Sequence, residues 1–349
     1  MTTSLISARN KTVIAILSIL HLLCDLICGY KVIGVLAIDF YDYGFFIFVI
    51  YNTLAFCFQP LIGLYVDRYH HEKAILLASL VFLTLGLFIN LWWLSAVLLG
   101  IGNQIFHVAG GKVCTNISTE KSSHLGVFVS LGAIGLAIGG NLYRYRFIPY
   151  VAISLYLVLV MASLWLIESK TPKNTSPEKT QKPLVDQPKI ILSGLFLLIA
   201  VFIRSFLGKI IHYDFAMNLP LLLLLPASAA MGKFIGGFIR DKWGSFYTVL
   251  CSMTLATFLL LFFAKSKPLM MLGLVMINIS MPITLFELNR LLPGKEGFNF
   301  GLLAGILFPG VVIGILYQFN VVSYVIVVLI SSLLAIISMY YIKRGDLRG

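Results

Sequence analysis

Long apolar runs are the feature that most constrains this chain. About twelve of them follow one another, each near the roughly 20 residues that an α-helix needs to cross a bilayer. The chain is 59% hydrophobic and only 11% charged, whereas about 25% of the residues in a soluble domain are charged. Outer-membrane barrels instead show alternating segments of about ten residues. The sequence therefore predicts an all-α integral membrane protein with about twelve transmembrane helices.

One long polar segment divides the apolar runs into two equal sets. Residues 169–189 read SKTPKNTSPEKTQKPLVDQPK, and this composition provides no apolar face for packing. We expect a six-helix bundle over 1–168, a flexible cytoplasmic linker over 169–189 and a second six-helix bundle over 190–349. The expected spans lie near 12–36, 43–65, 74–91, 93–111, 124–142 and 147–168, then near 190–211, 217–239, 246–264, 268–289, 298–317 and 321–342.

Basic residues lie mainly in alternate loops. With both termini on one side, about 18 of the 26 lysines and arginines fall on that side and about six on the other. Because cytoplasmic loops collect Lys and Arg, we predict a multi-pass protein of the cell (inner) membrane with both termini in the cytoplasm. The same placement accounts for the formal net charge of +12 without a nucleic-acid partner. The first apolar run resembles a signal peptide but is long, and we expect it to be retained.

Two glycine patterns recur about 175 residues apart, at nearly one offset. The first is a Gly-x-x-x-Asp string at the end of the second span of each half. The second is a set of glycines along the fifth and eleventh spans. Together they predict pseudo-symmetric halves made by duplication, as in transporters that bind substrate between two repeats. The paired positions are Gly63 and Asp67 with Gly237 and Asp241, and Gly126, Gly135 and Gly139 with Gly301, Gly310 and Gly314.

These strings resemble a known family. Gly63-x-x-x-Asp67-Arg68 resembles the loop signature of the major facilitator superfamily, and GGFIRDKWG at 236–244 resembles its second copy. GLAIGG at 135–140 is similar to a fifth-helix motif of the drug:proton antiporters, with leucine in place of its proline. HLLCD at 21–25, QPLIGLYVDR at 59–68 and GIGNQIFHVAGGK at 100–112 resemble the fosmidomycin-resistance branch. The resemblance implies alternating access around a central cavity lined by the first, fourth, seventh and tenth helices.

Charged helix ends suggest a gate. A carboxylate at a helix end can pair with basic groups and accept hydrogen bonds from a neighbouring helix terminus. We expect Asp67 and Asp241 to hold the inner ends of the bundles together in one state. The alternative is that these residues only stop helices and set topology, and that the glycines only pack tightly. The candidate gating residues are Gly63, Asp67, Arg68, Gly237, Asp241, Lys242, Gly135, Gly139, Gly310 and Gly314.

Ionisable residues inside the spans are functional candidates, because each costs at least about 2.5 kcal/mol to insert. His21 and Asp25 are four residues apart and share a helix face. We predict that Asp25 carries a proton, with His21 and His107 tuning it or carrying protons themselves. The alternative is a static polar cluster that locks helices together.

A second group of polar residues is a candidate substrate site. Arg204 is the predicted anchor for an anionic group, because its planar fork suits phosphate or carboxylate; the alternative is a permanent pair with Asp25. We expect Lys233 to extend along its helix to the aqueous surface. The remaining candidates are amide side chains at Asn52, Gln59, Asn103, Gln104 and Asn278.

The combined pattern predicts a secondary active transporter that exports a small, anionic or drug-like molecule in exchange for protons. The alternatives are an uptake symporter and a non-transporting membrane receptor or sensor on the same fold. No phosphate-cradling loop, nucleophile elbow or metal-ligand spacing occurs in the sequence, so we expect no enzyme activity, no cofactor and no metal. The expected partners are the substrate, protons and the lipid bilayer, and we expect a monomer.

Overall fold

The computed structural model describes residues 2–145, 147–167, 187–210, 219–263, 265–316 and 321–346, which are almost entirely helical. Most of the expected linker lies outside these residues, so its boundaries and those of the two bundles remain predictions. The first six helices are α1 (Thr2–Cys28, continued by Gly29–Leu36 and Ala37–Asp39), α2 (Gly44–Asn52, Thr53–Cys57 and Gln59–Tyr69), α3 (Glu72–Phe88), α4 (Trp92–Ile117), α5 (Ser122–Asn141) and α6 (Ile148–Leu166). The next six are α7 (Gln187–Ile210), α8 (Leu219–Trp243), α9 (Ser245–Phe262), α10 (Lys267–Asn278 and Ser280–Leu291), α11 (Glu296–Gly305 and Leu307–Leu316) and α12 (Val321–Asp346).

The helices suit a bilayer. Within the described residues, nine segments are long and apolar enough to cross a membrane, by length and composition. Large apolar side chains such as Val158, Trp165 and Phe262 are exposed on the outside of the molecule. An exposed apolar surface of this kind is favourable where the surrounding solvent is lipid. The predicted all-α membrane fold is therefore confirmed.

Several helices are irregular, and proline explains most of the breaks. Proline lacks the backbone N–H that would bond four residues back. Pro282 follows the break at Ile279 in α10, and Pro309 follows the break at Ile306 in α11. Pro60 likewise follows a π-helical stretch, Thr53–Cys57, in α2. Hydrophobic periodicity did not indicate these breaks. A break rotates one part of a helix relative to the other, but the amino-acid composition of the segment stays the same.

Two separate hydrophobic cores hold the bundles. The first is built mainly from α1–α6, with Leu17, Leu83 and Phe106 fully buried. The second is built from α7–α12, with Val249 and Val328 fully buried. The first core also includes Phe286 of α10 and Phe300 of α11, so apolar contacts join the two halves in this state.

The bundles meet along two helix pairs that are related by the sequence repeat. Where α2 crosses α11, a Cβ on Gly63 would lie 2.5 Å from the carbonyl carbon of Gly297. Where α8 crosses α5, a Cβ on Gly237 would lie 2.6 Å from the carbonyl oxygen of Ser122. Only glycine allows the backbones to come this close. We call the end of the molecule that contains these crossings the latch end.

Candidate functional site

His21, Asp25 and His107 form a cluster that we call the central triad. His21 and Asp25 lie one turn apart on α1, and His107 faces them from α4. The Nε2 atoms of His21 and His107 are 2.8 Å apart. The carboxylate of Asp25 lies 3.5 Å from His21 Nε2 and 3.7 Å from His107 Nε2. Asn103, one turn before His107, donates a 2.8 Å hydrogen bond to Asp25 Oδ1.

The partners of the two imidazoles determine their tautomers. Nδ1 of His21 lies 2.8 Å from the carbonyl oxygen of Phe128, and Nδ1 of His107 lies 2.9 Å from that of Asn103. A carbonyl oxygen can only accept, so each Nδ1 carries a hydrogen and each Nε2 presents a lone pair. Two lone pairs 2.8 Å apart repel each other. One additional proton between them turns the contact into a charge-assisted hydrogen bond, and Asp25 supplies the balancing negative charge.

The same three side chains have the chemistry of metal ligands, which the sequence spacing did not indicate. Their ligand atoms all lie within 4.8 Å of one another. Two nitrogens bound to one tetrahedral Zn²⁺ at about 2.05 Å would be about 3.3 Å apart. The 2.8 Å between the two Nε2 atoms is shorter than this and has the length of a hydrogen bond. The described geometry therefore fits a shared proton better than a metal ion.

Gly132 of α5 forms the wall behind the triad and was missed by the sequence reasoning. A Cβ at this position would lie 2.5 Å from Asp25 Oδ2 and would also overlap His21 Nε2. The glycine therefore leaves the space that the carboxylate and imidazole occupy. The available signal was the run of glycines along the fifth span, but nothing in that run distinguished Gly132 from its neighbours.

Arg204 lies in α7, on the second bundle. Its guanidinium donates to the hydroxyl of Ser280 and contacts the sulfur of Met281, both in α10. Within the described residues it forms no ion pair with Asp25 or any other carboxylate. The structure therefore contains no ion pair between Arg204 and Asp25, which was the alternative interpretation.

Lys233 is partly buried in α8, within electrostatic range of Arg204, Asp25 and His107. Beside it, the backbone of α8 packs against α5 at Gly126. The expectation that its side chain extends to the aqueous surface stays a prediction. Lys233 has no carboxylate partner in the described part of the chain.

The candidate amides do not all join the triad. Asn52, Gln59 and Asn278 each donate to the carbonyl four residues earlier in their own helix. Gln104 is buried beside Asn103, and among the described residues its Nε2 finds no hydrogen-bond partner. A buried donor without a partner is costly, which makes Gln104 the amide best suited to meet a ligand.

At the latch end, two carboxylates each cap a helix of the opposite bundle. Asp67 of α2 accepts hydrogen bonds from the backbone N–H groups of Gly297 (2.9 Å) and Phe298 (2.8 Å), at the start of α11. Asp241 of α8 accepts from the backbone N–H groups of Ser122 (2.8 Å) and Ser123 (3.1 Å), at the start of α5. A carboxylate is favourable at a helix N-terminus because it accepts unpaired N–H groups and faces the positive end of the dipole.

Buried partners support each latch, and the sequence reasoning gave the first of them no role. Lys112 of α4 is buried and lies 3.5 Å from Asp67 and 2.8 Å from Glu72. At the second latch, Arg240 lies 3.6 Å from Asp241 and 3.5 Å from Glu287. Lys112 could have been found as a charged residue near the end of a span.

The other candidate gating residues lie elsewhere. Arg68 lies over the ring of Tyr69, 5.3 Å from its centroid, and Lys242 is exposed. Neither joins the latch contacts among the described residues. Gly135 and Gly139 contact the backbone of α1, whereas Gly310 contacts α7 and Gly314 lies in α11. The contacts of Gly135, Gly139 and Gly310 therefore lie within a bundle rather than between bundles.

Comparison with known proteins gives consistent matches. A family model described as Major Facilitator Superfamily matches residues 30–314. The chain is 26% identical over 286 residues to the fosmidomycin resistance protein of Escherichia coli (strain K12), covering 72% of this chain and 70% of that protein. It is 24% identical over 243 residues to the class H tetracycline resistance protein of Pasteurella multocida, covering 59% of each.

Solved structures show the same fold at low identity. The chain superposes on the E. coli fucose:proton symporter FucP with a TM-score of 0.68 at 12% identity, covering 95% of this chain and 98% of that one. It superposes on a bacterial homologue of the iron transporter ferroportin, in an outward-facing state, with a TM-score of 0.57 at 13% identity, covering 96% and 100%. With the family match over most of its length, the chain belongs to the major facilitator superfamily and is a membrane transporter rather than an enzyme.

Proposed function

We propose that this transporter exports a small molecule in exchange for protons, by alternating access between its two bundles. The observation that carries the proposal is the central triad, whose two facing Nε2 atoms need a shared cation. Two of the relatives are named for resistance to fosmidomycin and to tetracycline. A membrane transporter protects a cell from a toxic compound by moving it outward, which favours export over uptake.

The orientation follows from charge. We take the latch end as cytoplasmic and both termini as cytoplasmic in the cell membrane, because most Lys and Arg residues lie in the loops on that side. With this orientation the closed latches correspond to a state that is shut toward the cytoplasm. The triad lies within one chain, between α1 and α4, so a monomer is sufficient for transport.

The triad provides a proton store whose occupancy can differ between states. In this proposal the extra proton lies between the two imidazoles, with Asp25 as counter-ion and Asn103 holding the carboxylate in place. A change in the distance between Lys233 and Asp25 changes the proton affinity of the triad, because a nearby positive charge favours loss of a proton. Relative movement of the two bundles therefore gives the two states different proton occupancies.

The second bundle supplies the substrate site in this proposal. Arg204 and Lys233 are two cations without a described carboxylate partner, and both are partly buried. Buried charges require compensation. An organic anion held between them supplies that charge, and Gln104 offers a free donor from the first bundle. We therefore infer an anionic substrate that carries at least one carboxylate-like or phosphate-like group.

The test is flux in proteoliposomes with an imposed pH gradient and a panel of organic anions, neutral sugars and cationic drugs. Uphill movement of an anion out of the compartment that corresponds to the cytoplasm, driven by inward proton flow, is the expected result. Asp25→Asn should abolish uphill movement but leave exchange of substrate across the membrane, because exchange does not require a change in proton occupancy. The matched control is Asp42→Asn, an exposed carboxylate at the other end.

Three outcomes would contradict the proposal. Proton flow in the same direction as the substrate would identify an uptake symporter. Binding without flux would indicate a receptor or sensor. Proton dependence that is unchanged in Asp25→Asn would remove the triad from the coupling mechanism.

A further inference from the structure

His70, in the turn between α2 and α3, has an unusual backbone conformation. Its φ is +54°, and among the residues that the structure describes it is the only non-glycine residue with a positive φ. The repeat that relates the two Gly-x-x-x-Asp strings pairs His70 with Gly244, whose φ is +76°. A positive φ is unfavourable for a residue with a Cβ and costs glycine nothing. The first turn therefore carries an imidazole at a backbone cost, which indicates a role for its side chain.

The ring of His70 contacts Lys112, which is buried in α4. The ammonium group of Lys112 donates to the carbonyl oxygen of Val66 at 2.6 Å and to Glu72 Oε1 at 2.8 Å. It also lies 3.2 Å from His70 Nδ1. An ammonium group has three hydrogens, and these three acceptors use all of them. His70 Nδ1 therefore presents a lone pair, and the ring is neutral with its hydrogen on Nε2.

The position of Lys112 affects how Asp67 holds α11. Nζ of Lys112 is 3.5 Å from Asp67 Oδ1, which is longer than a good hydrogen bond. The same oxygen accepts the backbone N–H of Gly297 at 2.9 Å. Because His70 takes the third hydrogen of Lys112, the lysine supplies a balancing charge to Asp67 and does not compete with α11 for its oxygen.

We propose that His70 is a positioning residue that makes the first latch sensitive to cytoplasmic pH. Histidine changes its charge between about pH 5 and pH 8. A proton on Nδ1 removes the lone pair that accepts from Lys112 and places a second cation beside it. The hydrogen that Lys112 regains turns to Asp67 Oδ1 and competes there with the N–H of Gly297. Acidification therefore weakens the first latch and favours the open form.

The inference rests on the proposed function in one respect, that the latches act as a gate toward the cytoplasm. The direction follows from what changes when the gate opens. Attraction between protonated His70 and Glu72, whose atoms are 3.7 Å apart, lies within the first bundle and is present in both states. The start of α11 is beside the latch only in the closed state, and the positive end of its dipole disfavours an added positive charge there.

The other charged side chains near this turn do not alter that direction. In the described part of the chain, the remaining charged residues on the end of α2, the turn and the starts of α3 and α11 form no hydrogen bond or ion pair with His70; they are Arg68, His71, Lys73, Lys295 and Glu296. Lys112 is the charged residue of α4. The contacts of His70 with Lys112 and Glu72 therefore determine the effect of its proton.

The test is the distance distribution between spin labels on α2 and α11, measured on the purified full-length protein at about pH 8 and about pH 5. In the unaltered protein the closed-to-open ratio should fall about two- to fivefold on acidification, the range expected for one charge beside a helix end. His70→Asn should abolish this fall, because asparagine tolerates a positive φ and offers Lys112 an amide oxygen but cannot gain a proton. His70→Gly suits the backbone but offers no acceptor, so its ratio should lie below that of His70→Asn at both pH values.

His71→Asn is the matched control. His71 is the neighbouring histidine, and its Nδ1 lies 3.1 Å from the hydroxyl of Tyr65 rather than beside Lys112. It should respond to pH like the unaltered protein. Any contribution from the central triad is common to all of these proteins, so the differences between them report on the turn.

Three results would overturn the role of His70. They are an undiminished pH response in His70→Asn, an equal loss of response in His71→Asn, and equal ratios in His70→Gly and His70→Asn. Failure of the gate itself gives a different result. If Asp67→Ala leaves the distances unchanged, the latch does not hold the closed state, and both the gate and this inference are refuted. Export is measured separately by flux, so its failure would leave these populations as they are.

Discussion

The buried charges at the centre of this protein are compensated differently in the two bundles. In the first bundle, Asp25 faces two histidines and an asparagine, so its negative charge has partners inside the protein. In the second, Arg204 has a hydroxyl and a thioether, and Lys233 has no described ion pair. Buried charge that the protein does not balance is a reasonable place for a ligand of opposite sign.

Lys233→Gln tests this asymmetry at the level of one residue. Loss of a charge-assisted hydrogen bond costs about 1.5–3 kcal/mol, so the KM for an anionic substrate should rise at least about tenfold while kcat changes little. Transport of a neutral compound should be unaffected. The measurement is initial flux against substrate concentration in proteoliposomes. Lys242→Gln, an exposed lysine on the same helix, is the control, and an equal effect of both substitutions would refute a binding role for Lys233.

At the scale of helices, each latch is a small contact that keeps the two bundles together at one end. Each consists of one carboxylate on two backbone N–H groups at the first turn of a helix in the other bundle. Both contacts lie at the same end, and both depend on a glycine that lets the helices cross closely. When they separate, water can satisfy the carboxylate and the N–H groups, so the energy difference between the two states stays small.

Replacing a latch carboxylate should shift the population toward a form that is open at the latch end. Removal of a helix N-cap costs about 0.5–2 kcal/mol, so Asp67→Ala or Asp241→Ala should change the open-to-closed ratio by about two- to thirtyfold. Distances between spin labels on α2 and α11, and on α5 and α8, measure the ratio. Asp42→Ala should leave it unchanged. Because both latches open in one movement, their free-energy effects should add, and an unaltered distance distribution in the double variant would contradict the latch role.

At the scale of the whole molecule, the arrangement of charge determines how the protein sits in the membrane. The basic loops lie at the latch end. Orientation and gating are therefore linked by one distribution of Lys and Arg. A protein inserted in the opposite sense would place the shut end outside and reverse the direction inferred for transport.

Topology can be measured directly with single cysteines in a background where the five native cysteines are replaced by alanine. Glu120→Cys, between α4 and α5, should react with a membrane-impermeant maleimide only when the cytoplasmic face is exposed. Asp42→Cys, between α1 and α2, should react from the outside of intact cells. Both expectations follow from the positive-inside rule. Labelling of position 120 in intact cells would reverse the assignment and with it the proposed direction of transport.

Local spacing in the sequence predicted the helices and several of the candidate site residues. The apolar runs predicted most helix boundaries within about six residues, because helix formation in lipid depends on the composition of each segment. The exception is α1, which begins at Thr2 rather than near residue 12. The four-residue spacing of His21 and Asp25 placed them on one face, since that relation is set within a single helix. The repeated Gly-x-x-x-Asp strings indicated both latch carboxylates for the same reason.

Only the tertiary structure determined the contacts between different helices. It brought His107 to within 2.8 Å of His21, gave the latch carboxylates their partners at the starts of α5 and α11, and placed Lys233 within electrostatic range of Asp25. Each depends on how closely two helices approach and on their rotation about their axes. Those quantities come from the packing of glycines and large side chains that are far apart in the sequence. Composition and periodicity describe one helix at a time, so they determine the fold class and leave the partners of each buried charge undetermined.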